Sequence, residues 1–283
     1  MRRAIDIAYR DVLHIIDEKS SLLATVFLIS TGICRFAVVD ENLKVKGFVS
    51  AYDVYGHLLR NSKKPLKDML EHRVSSIEVE CPTMHYTSSI SEVLENMVDG
   101  GIGYVVLVDG EKTIKGIVTE GRIISYMEVT KYGVKLKDIM STPLIKISVN
   151  DEVLEAISLM VSRRIKRLPV FIGRTVYSTL RCDEVAKILC DKRRMEEVFF
   201  LGKSMEEVFS DMSVLSVVSK KHCFIIDKNS DVGSIIGFLK TGLVDNVLVS
   251  SEKGIEGIVT MRNVVVKMAR ILGVKEFTKH LII

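Results

Sequence analysis

Tryptophan and glutamine do not occur in this 283-residue chain, proline occurs four times, and aromatic residues make up 6%. A core with so few rings has to pack through Val, Ile and Leu, which suits sheets and helices. The 47% hydrophobic and 27% charged content is that of a soluble globular protein. Missing glutamine fits a thermophilic source, where labile amides are depleted. No apolar run is long enough to span a bilayer. The longest, LLATVFLISTGIC at 22–34, stops at Arg35 and reads as a buried core helix. The opening MRRAIDIAYRD brings in acidic residues too early for a signal peptide. Five cysteines (Cys34, Cys81, Cys182, Cys190, Cys223) are odd in number and lack paired spacing, so they read as reduced thiols in a cytoplasmic protein. The net charge of +4 is too small an excess to argue for nucleic acid as a partner.

Catalytic signatures are missing as well. The six histidines show neither H-x-x-x-H nor HExxH spacing, no cysteine pair makes a zinc knuckle, and the glycines form no phosphate loop. His222 and Cys223 are adjacent, but neighbours on a strand point to opposite faces, which argues against a metal or nucleophile pair. No enzyme activity is expected.

What is present is repetition. GFVSAYD at 47–53, GIVTEGR at 116–122 and GIVTMRN at 257–263 each read as a short strand, a hydroxyl residue and a helix start. Gly47 and Gly116 are 69 residues apart, and Gly116 and Gly257 are 141 apart, so a fourth copy belongs near residue 180. YSTLRCD at 177–183 stands there in degraded form. Around each copy the order is β-α-β-β-α. In the third, LIKIS precedes a helix with an apolar stripe of Val153, Leu154, Ile157, Met160 and Val161, capped by Asn150 or Asp151. RLPVFI and TVYSTL then form two strands, and a second helix runs from near Asp183 to DKRR at 191–194. In the second, Ser89 and Glu92 have capping-box spacing, and Asp109-Gly110 turns a hairpin.

The expected fold class is therefore α/β (α+β), with four repeats at 1–62, 63–136, 137–194 and 195–283. A unit of about 60 residues with three short strands cannot bury both faces of its sheet alone. Sheet-to-sheet pairing of consecutive repeats is expected, giving modules of roughly 1–136 and 137–283. RNSKKPLKDMLEH and KYGVKLKDIMSTP are the expected linkers, the second of them joining the modules.

The stretch KDIMSTPLIKISVNDEVLEAISLMVSRRIKRLPVF, with the strand and helix after it, resembles the cystathionine-β-synthase-type (CBS) domain. That family combines an M-T-P opening, a capped first helix, an h-P-V-V strand and G-h-h-T-x-x-D before the second helix. The resemblance implies two Bateman modules, which in the family can associate as a disc, and clefts for an adenosine-containing ligand: AMP, ADP, ATP or S-adenosylmethionine. It also implies a regulatory role exerted on an effector protein, and leaves room for a homodimer. A four-repeat layout is similar to that of the γ subunit of AMP-activated protein kinase. The alternatives are a structural or assembly module with decayed clefts, and a nucleic-acid-binding adaptor.

The chemistry of the motif supports a nucleotide. A strand that ends in Ser or Thr and turns into a helix offers a hydroxyl, free amides and the positive helix pole to a phosphate. A carboxylate three residues on can accept from both hydroxyls of a ribose. Repeat one has both groups, Ser50 and Asp53. Repeat two has Thr119 with Arg122. Repeat three has Asp183, with Leu180 at the hydroxyl position and Arg181 beside it. Repeat four has Thr260, Arg262 and Asn263. Arg122, Arg181 and Arg262 are candidate phosphate ligands, since guanidinium binds phosphate bidentately. Lys166 and Arg167, entering the third repeat's strand, are placed by the resemblance beside its cleft. Ser, Thr and Asp at these positions are also ordinary helix caps. The best ligand site is expected in repeat one.

Overall fold

The computed structural model describes residues 2–220, 223–242 and 244–282, so His222 lies outside the described residues. Among them the chain forms four three-stranded sheets, one per repeat. Repeat one consists of β1 (Ile15–Asp17), α1 (Leu22–Ser30), β2 (Arg35–Val39), β3 (Val45–Ser50) and α2 (Ala51–Arg60), followed by α3 (Leu66–Glu71). Repeat two has β4 (Thr83–His85), α4 (Ile90–Gly100), β5 (Tyr104–Val108), β6 (Ile114–Thr119) and α5 (Glu120–Ser125), followed by α6 (Leu136–Ile139). Repeat three has β7 (Ile147–Ser148), α7 (Val153–Ser162), β8 (Arg167–Ile172), β9 (Thr175–Arg181) and α8 (Cys182–Leu189), then α9 (Lys192–Leu201) and α10 (Met205–Phe209). Repeat four has β10 (Ile225–Asp227), α11 (Gly233–Lys240), β11 (Asn246–Ser251) and β12 (Gly254–Thr260), then a π-turn at Asn263–Lys267, α12 (Met268–Leu272) and α13 (Val274–Lys279).

The first two strands of each sheet are parallel because a helix crosses between them; the second and third form an antiparallel hairpin. Each hairpin carries one register shift near its turn, at Val38/Val39, Leu107/Val108, Val170/Phe171 and Val249/Ser250. The repeats therefore share even their irregularities.

One pattern explains how they pack. A helix with apolar residues at i, i+3, i+4 and i+7 presents a single stripe. Ala51, Val54, Tyr55 and Leu58 do so in α2, and Val153, Ala156, Ile157 and Met160 in α7, all fully buried. Ile90, Val93, Leu94 and Met97 repeat the pattern in α4, and Cys182, Val185, Ala186 and Leu189 in α8. Each fully buried aliphatic side chain contributes about 1.5–3 kcal/mol, so a stripe is worth covering.

The covering partner is not the neighbouring repeat in sequence. One compact unit contains 12–81 and 145–222, which are repeats one and three. The other contains 1–11, 82–144 and 223–283, holding repeats two and four. In the one-three unit α1 packs on α8, and α2 on α7; in the two-four unit α11 packs on α5, and α4 on the turns that follow Thr260. The first helix of one repeat thus meets the second helix of the other. The expectation of contiguous modules at 1–136 and 137–283 is corrected accordingly, since helix stripes rather than sheet faces hold each unit together. The expected linkers are structured too, with Leu66, Met69 and Leu70 of α3 and Leu136 and Ile139 of α6 buried.

Short segments finish the sheet edges. Val79 exchanges backbone hydrogen bonds with Phe48 of β3, Tyr9 with Ile117 of β6, and Ser141 with Ile258 of β12. The Ser178 hydroxyl of β9 donates to the Ser219 carbonyl. The segment before repeat two therefore closes repeat one, and the segment before repeat one closes repeat two. Two local expectations differ. Asp151 does not cap α7, because its carboxylate accepts from the Ser148 N–H at 2.8 Å and Glu152 takes the N-cap. DKRR does not end a helix: Asp191 caps the start of α9 by accepting from the Arg193 and Arg194 amides.

Candidate functional site

The third strand of each sheet ends at the cap of the next helix, opposite the first residue of the second strand. Ser50 faces Arg35, Thr119 faces Tyr104, Arg181 faces Arg167 and Thr260 faces Asn246. Three residues on stand Asp53, Arg122, Glu184 and Asn263. The sequence frame in repeat three is thereby corrected by one residue: Arg181, not Leu180, holds the hydroxyl position, and Glu184, not Asp183, holds the acidic one. Leu180 is a fully buried strand residue, like Val49, Val118 and Val259. The slip arises because repeat three keeps neither landmark of the motif: Ser178 stands where the other repeats have Gly47, Gly116 and Gly257, and Arg181 where they have a hydroxyl.

In repeat one, Asp53 Oδ2 accepts from both the backbone N–H of Ser50, at 2.8 Å, and its hydroxyl, at 2.6 Å. Asp53 Oδ1 has no hydrogen-bond partner among the described residues. Ser50 is buried and Asp53 half-buried. The Ala51 N–H, first of α2, donates to the Cys34 carbonyl.

The two-four unit satisfies its own polar groups. Thr119 caps α5 by accepting from the Arg122 amide at 3.2 Å. The Arg122 guanidinium donates to the Ile7 carbonyl at 2.7 Å and to the Tyr126 hydroxyl at 3.3 Å, with the Tyr9 and Tyr126 rings 5.0 and 5.2 Å away. In repeat four, Asn263 Oδ1 accepts from the Thr260 N–H and hydroxyl, while its amide group donates to the Ile139 carbonyl and the Ser141 hydroxyl. Arg262 donates to the Glu120 carboxylate at 3.2 Å. Glu120 was missed in sequence. It opens the α5 stripe, where α2, α4, α7 and α8 carry Ala51, Ile90, Val153 and Cys182, and it is 7% exposed. An acid at the first stripe position was the signal. Its carboxylate occupies the space beside Gly103, where any Cβ would collide with it. A negative charge thus already sits at the start of α5.

Repeat three is engaged in another way. Asp183 is buried and accepts from Arg181 Nε at 2.7 Å and Lys187 Nζ at 3.1 Å. Burial opposes its ionisation, but Arg181 and Lys187 outweigh burial and hold its pKa below the ordinary carboxylate value. Glu184, also buried, accepts from the backbone amides of Arg181 and Ser219. A groove of about 350 Å³ opens beside it, lined among others by Lys187, Asp191, Arg194 and Ser216. Lys166 and Arg167 stand at the start of β8, close enough to Cys34 of repeat one to act on its charge. The structure therefore gathers Lys166, Arg167, Arg181 and Asp183 near repeat one's helix start. Arg122, Thr119, Thr260, Arg262 and Asn263 belong to the other unit.

Among the described residues no group of three or more His, Cys, Asp or Glu is placed to hold a metal, and no helix is long and apolar enough to cross a membrane.

Comparison with known proteins follows the same lines. The CBS domain model matches residues 67–129 and 136–177. The "uncharacterized 33.4 kDa protein in ribosomal RNA operon" of Thermofilum pendens is 28% identical over 253 residues, covering 85% of this chain and 82% of the relative. A Methanocaldococcus jannaschii protein is 24% identical over 218 residues, covering 71% of this chain and 51% of that one. Among solved structures, a Methanocaldococcus jannaschii protein described as a candidate archaeal homologue of the AMPK γ subunit superposes with TM-score 0.80. It is 16% identical and covers 93% of this chain and 98% of its own. A conserved Pyrococcus horikoshii protein gives TM-score 0.57 at 14% identity, covering 94% and 99%. At such identities these likenesses speak for the fold. With the family model matching two stretches and the same β-α-β-β-α unit built four times, the chain carries CBS domain sequence at 67–129 and 136–177 and has the fold of a tandem CBS-domain protein throughout.

Proposed function

We propose that this protein is a regulatory module that binds an adenosine-containing ligand in the cleft of repeat one and passes its occupancy to an effector protein. One observation carries the reading. Asp53 keeps a carboxylate oxygen with no partner among the described residues, whereas its counterparts Arg122, Glu184 and Asn263 are bonded to the segments that close their sheets. Through Oδ2 the Ser50 bonds hold that carboxylate in place, and Oδ1 faces a ribose diol. The phosphate lies toward the positive pole at the start of α2, with Lys166 and Arg167 of repeat three as flanking cations. The ligand is AMP, ADP, ATP or S-adenosylmethionine. The effect of binding is exerted on a partner.

A thermal-shift panel of those four ligands tests the proposal. A ligand at 100 times its dissociation constant adds about 2.7 kcal/mol of stability. A flat response to all four refutes it. That outcome favours the assembly-module reading, which the engaged positions in repeats two, three and four support.

A further inference from the structure

Two of the five cysteines meet. Cys34, the residue before β2, and Cys182, the first of α8, hold their sulfurs 2.9 Å apart although 148 positions separate them in the chain. Both are buried. The Cys34 carbonyl accepts from the Ala51 N–H at 3.1 Å, and the Cys182 N–H donates to the Lys166 carbonyl at 3.0 Å. The pair thus joins two helix starts, one from repeat one and one from repeat three. The fully buried Tyr55 donates its hydroxyl to the Cys182 carbonyl, which fixes the first turn of α8 from the other repeat.

We propose that Cys34 and Cys182 are a disulfide-forming pair that staples repeat one to repeat three, closed by exchange with a small-molecule disulfide. The Cys34 thiolate attacks one sulfur of that disulfide and expels one small thiolate. Cys182 gives up its proton and attacks the Cys34 sulfur of the mixed disulfide, expelling the second. Two protein thiols are oxidised, one small disulfide is reduced, and two protons end on the two small thiols.

The surroundings suit that order of events. The hydrogen bond from Cys182 draws the Cys34 pKa down to about 7 against the effect of burial, with Lys166 assisting, and pushes Cys182 up. Cys34 is therefore the attacking thiolate near neutrality. A bonded pair needs about 2.05 Å between sulfurs, so closure requires an approach of roughly 0.9 Å. The loop closed is long, and long loops are where a cross-link constrains the unfolded chain most. Intracellular disulfides do occur in hyperthermophiles. This inference is independent of the nucleotide reading.

The test equilibrates the full-length native chain in glutathione buffers, from fully reduced to fully oxidised, at a temperature below unfolding. Samples are quenched with a thiol-alkylating reagent, then counted and peptide-mapped. The expected result is a fall from five free thiols to three at the oxidised end, one linked peptide pair carrying Cys34 and Cys182, and a higher Tm. Cys190→Ser should still lose two thiols, while Cys182→Ser should form no linked peptide pair and stop at the Cys34 mixed disulfide with glutathione, losing one thiol at most. Mapping of the unmutated chain decides the matter even if Cys182→Ser folds poorly. Five free thiols at the most oxidising ratio, or a link between any other pair, overturns the proposal.

Discussion

Replacing Asp53 by Asn separates the two roles of this side chain, and repeat four shows what the variant would look like. There Asn263 stands in the same place and accepts from Thr260 N–H at 2.9 Å and from its hydroxyl at 2.7 Å, as Asp53 does from Ser50 at 2.8 and 2.6 Å. Asp53→Asn therefore keeps the cap, and stability without ligand should change by no more than about 0.5 kcal/mol. What disappears is the open oxygen: an amide NH2 donates where the ribose hydroxyls need an acceptor. Losing charge-assisted bonds costs about 1.5–3 kcal/mol, roughly a 10- to 150-fold rise in Kd. Asp53→Ala is a poorer test, since it also removes the cap at about 0.5–2 kcal/mol. Isothermal titration with the ligand giving the largest thermal shift, beside urea denaturation of the free protein, reads both quantities. An unchanged Kd refutes the assignment. A loss of stability with binding intact would mean that Asp53 is a cap and nothing more.

Three further outcomes follow from the packing. Gly103→Ala should lower stability by about 1–3 kcal/mol, because the new Cβ displaces the Glu120 carboxylate from Arg262; Glu120→Ala in the same chain should recover part of it, and strictly additive losses in chemical denaturation would count against this contact. Fragments 1–136 and 137–283, expressed separately, should self-associate, since each lacks the repeats that cover its helix stripes. A monomeric fragment with a cooperative melt, seen by sedimentation and calorimetry, would contradict that pairing. Asp183→Asn should cost about 1–2 kcal/mol near neutral pH, a figure held low because Lys187 is largely exposed. The folded pKa of Asp183 lies below its unfolded value of about 3.9. Its contribution is thus complete above that unfolded value and lost as pH falls through the folded one. The gap between wild type and variant in urea denaturation should be constant above about pH 5 and close in acid; a gap that persists there would mean the loss is not ionic.

Much of this was visible in the residues themselves. The recurrence of a strand, a hydroxyl and a helix start predicted four β-α-β-β-α repeats, and Ser89 with Glu92 marked a capping box that forms as expected. Such features depend on hydrogen bonds and periodicities that span a few residues, so they are written locally. The frame of repeat three was not, because Ser178 and Arg181 replace the glycine and the hydroxyl that mark the motif elsewhere, which left Asp183 as the nearest match in place of Glu184. Nor was the commitment of Arg122 to Ile7, Tyr9 and Tyr126, since nothing local says that a segment so far back in the chain returns to that helix. Pairing of the repeats was equally out of reach. The stripes of α2, α4, α7 and α8 have one spacing and similar apolar content, so any of them could cover any other, and only closure of the whole chain selects repeat three for repeat one. The same closure brings Cys34 to Cys182 and Arg262 to Glu120. Short-range patterning determined the repeats and their elements; long-range packing decided which repeats meet and which polar groups are left with an open oxygen.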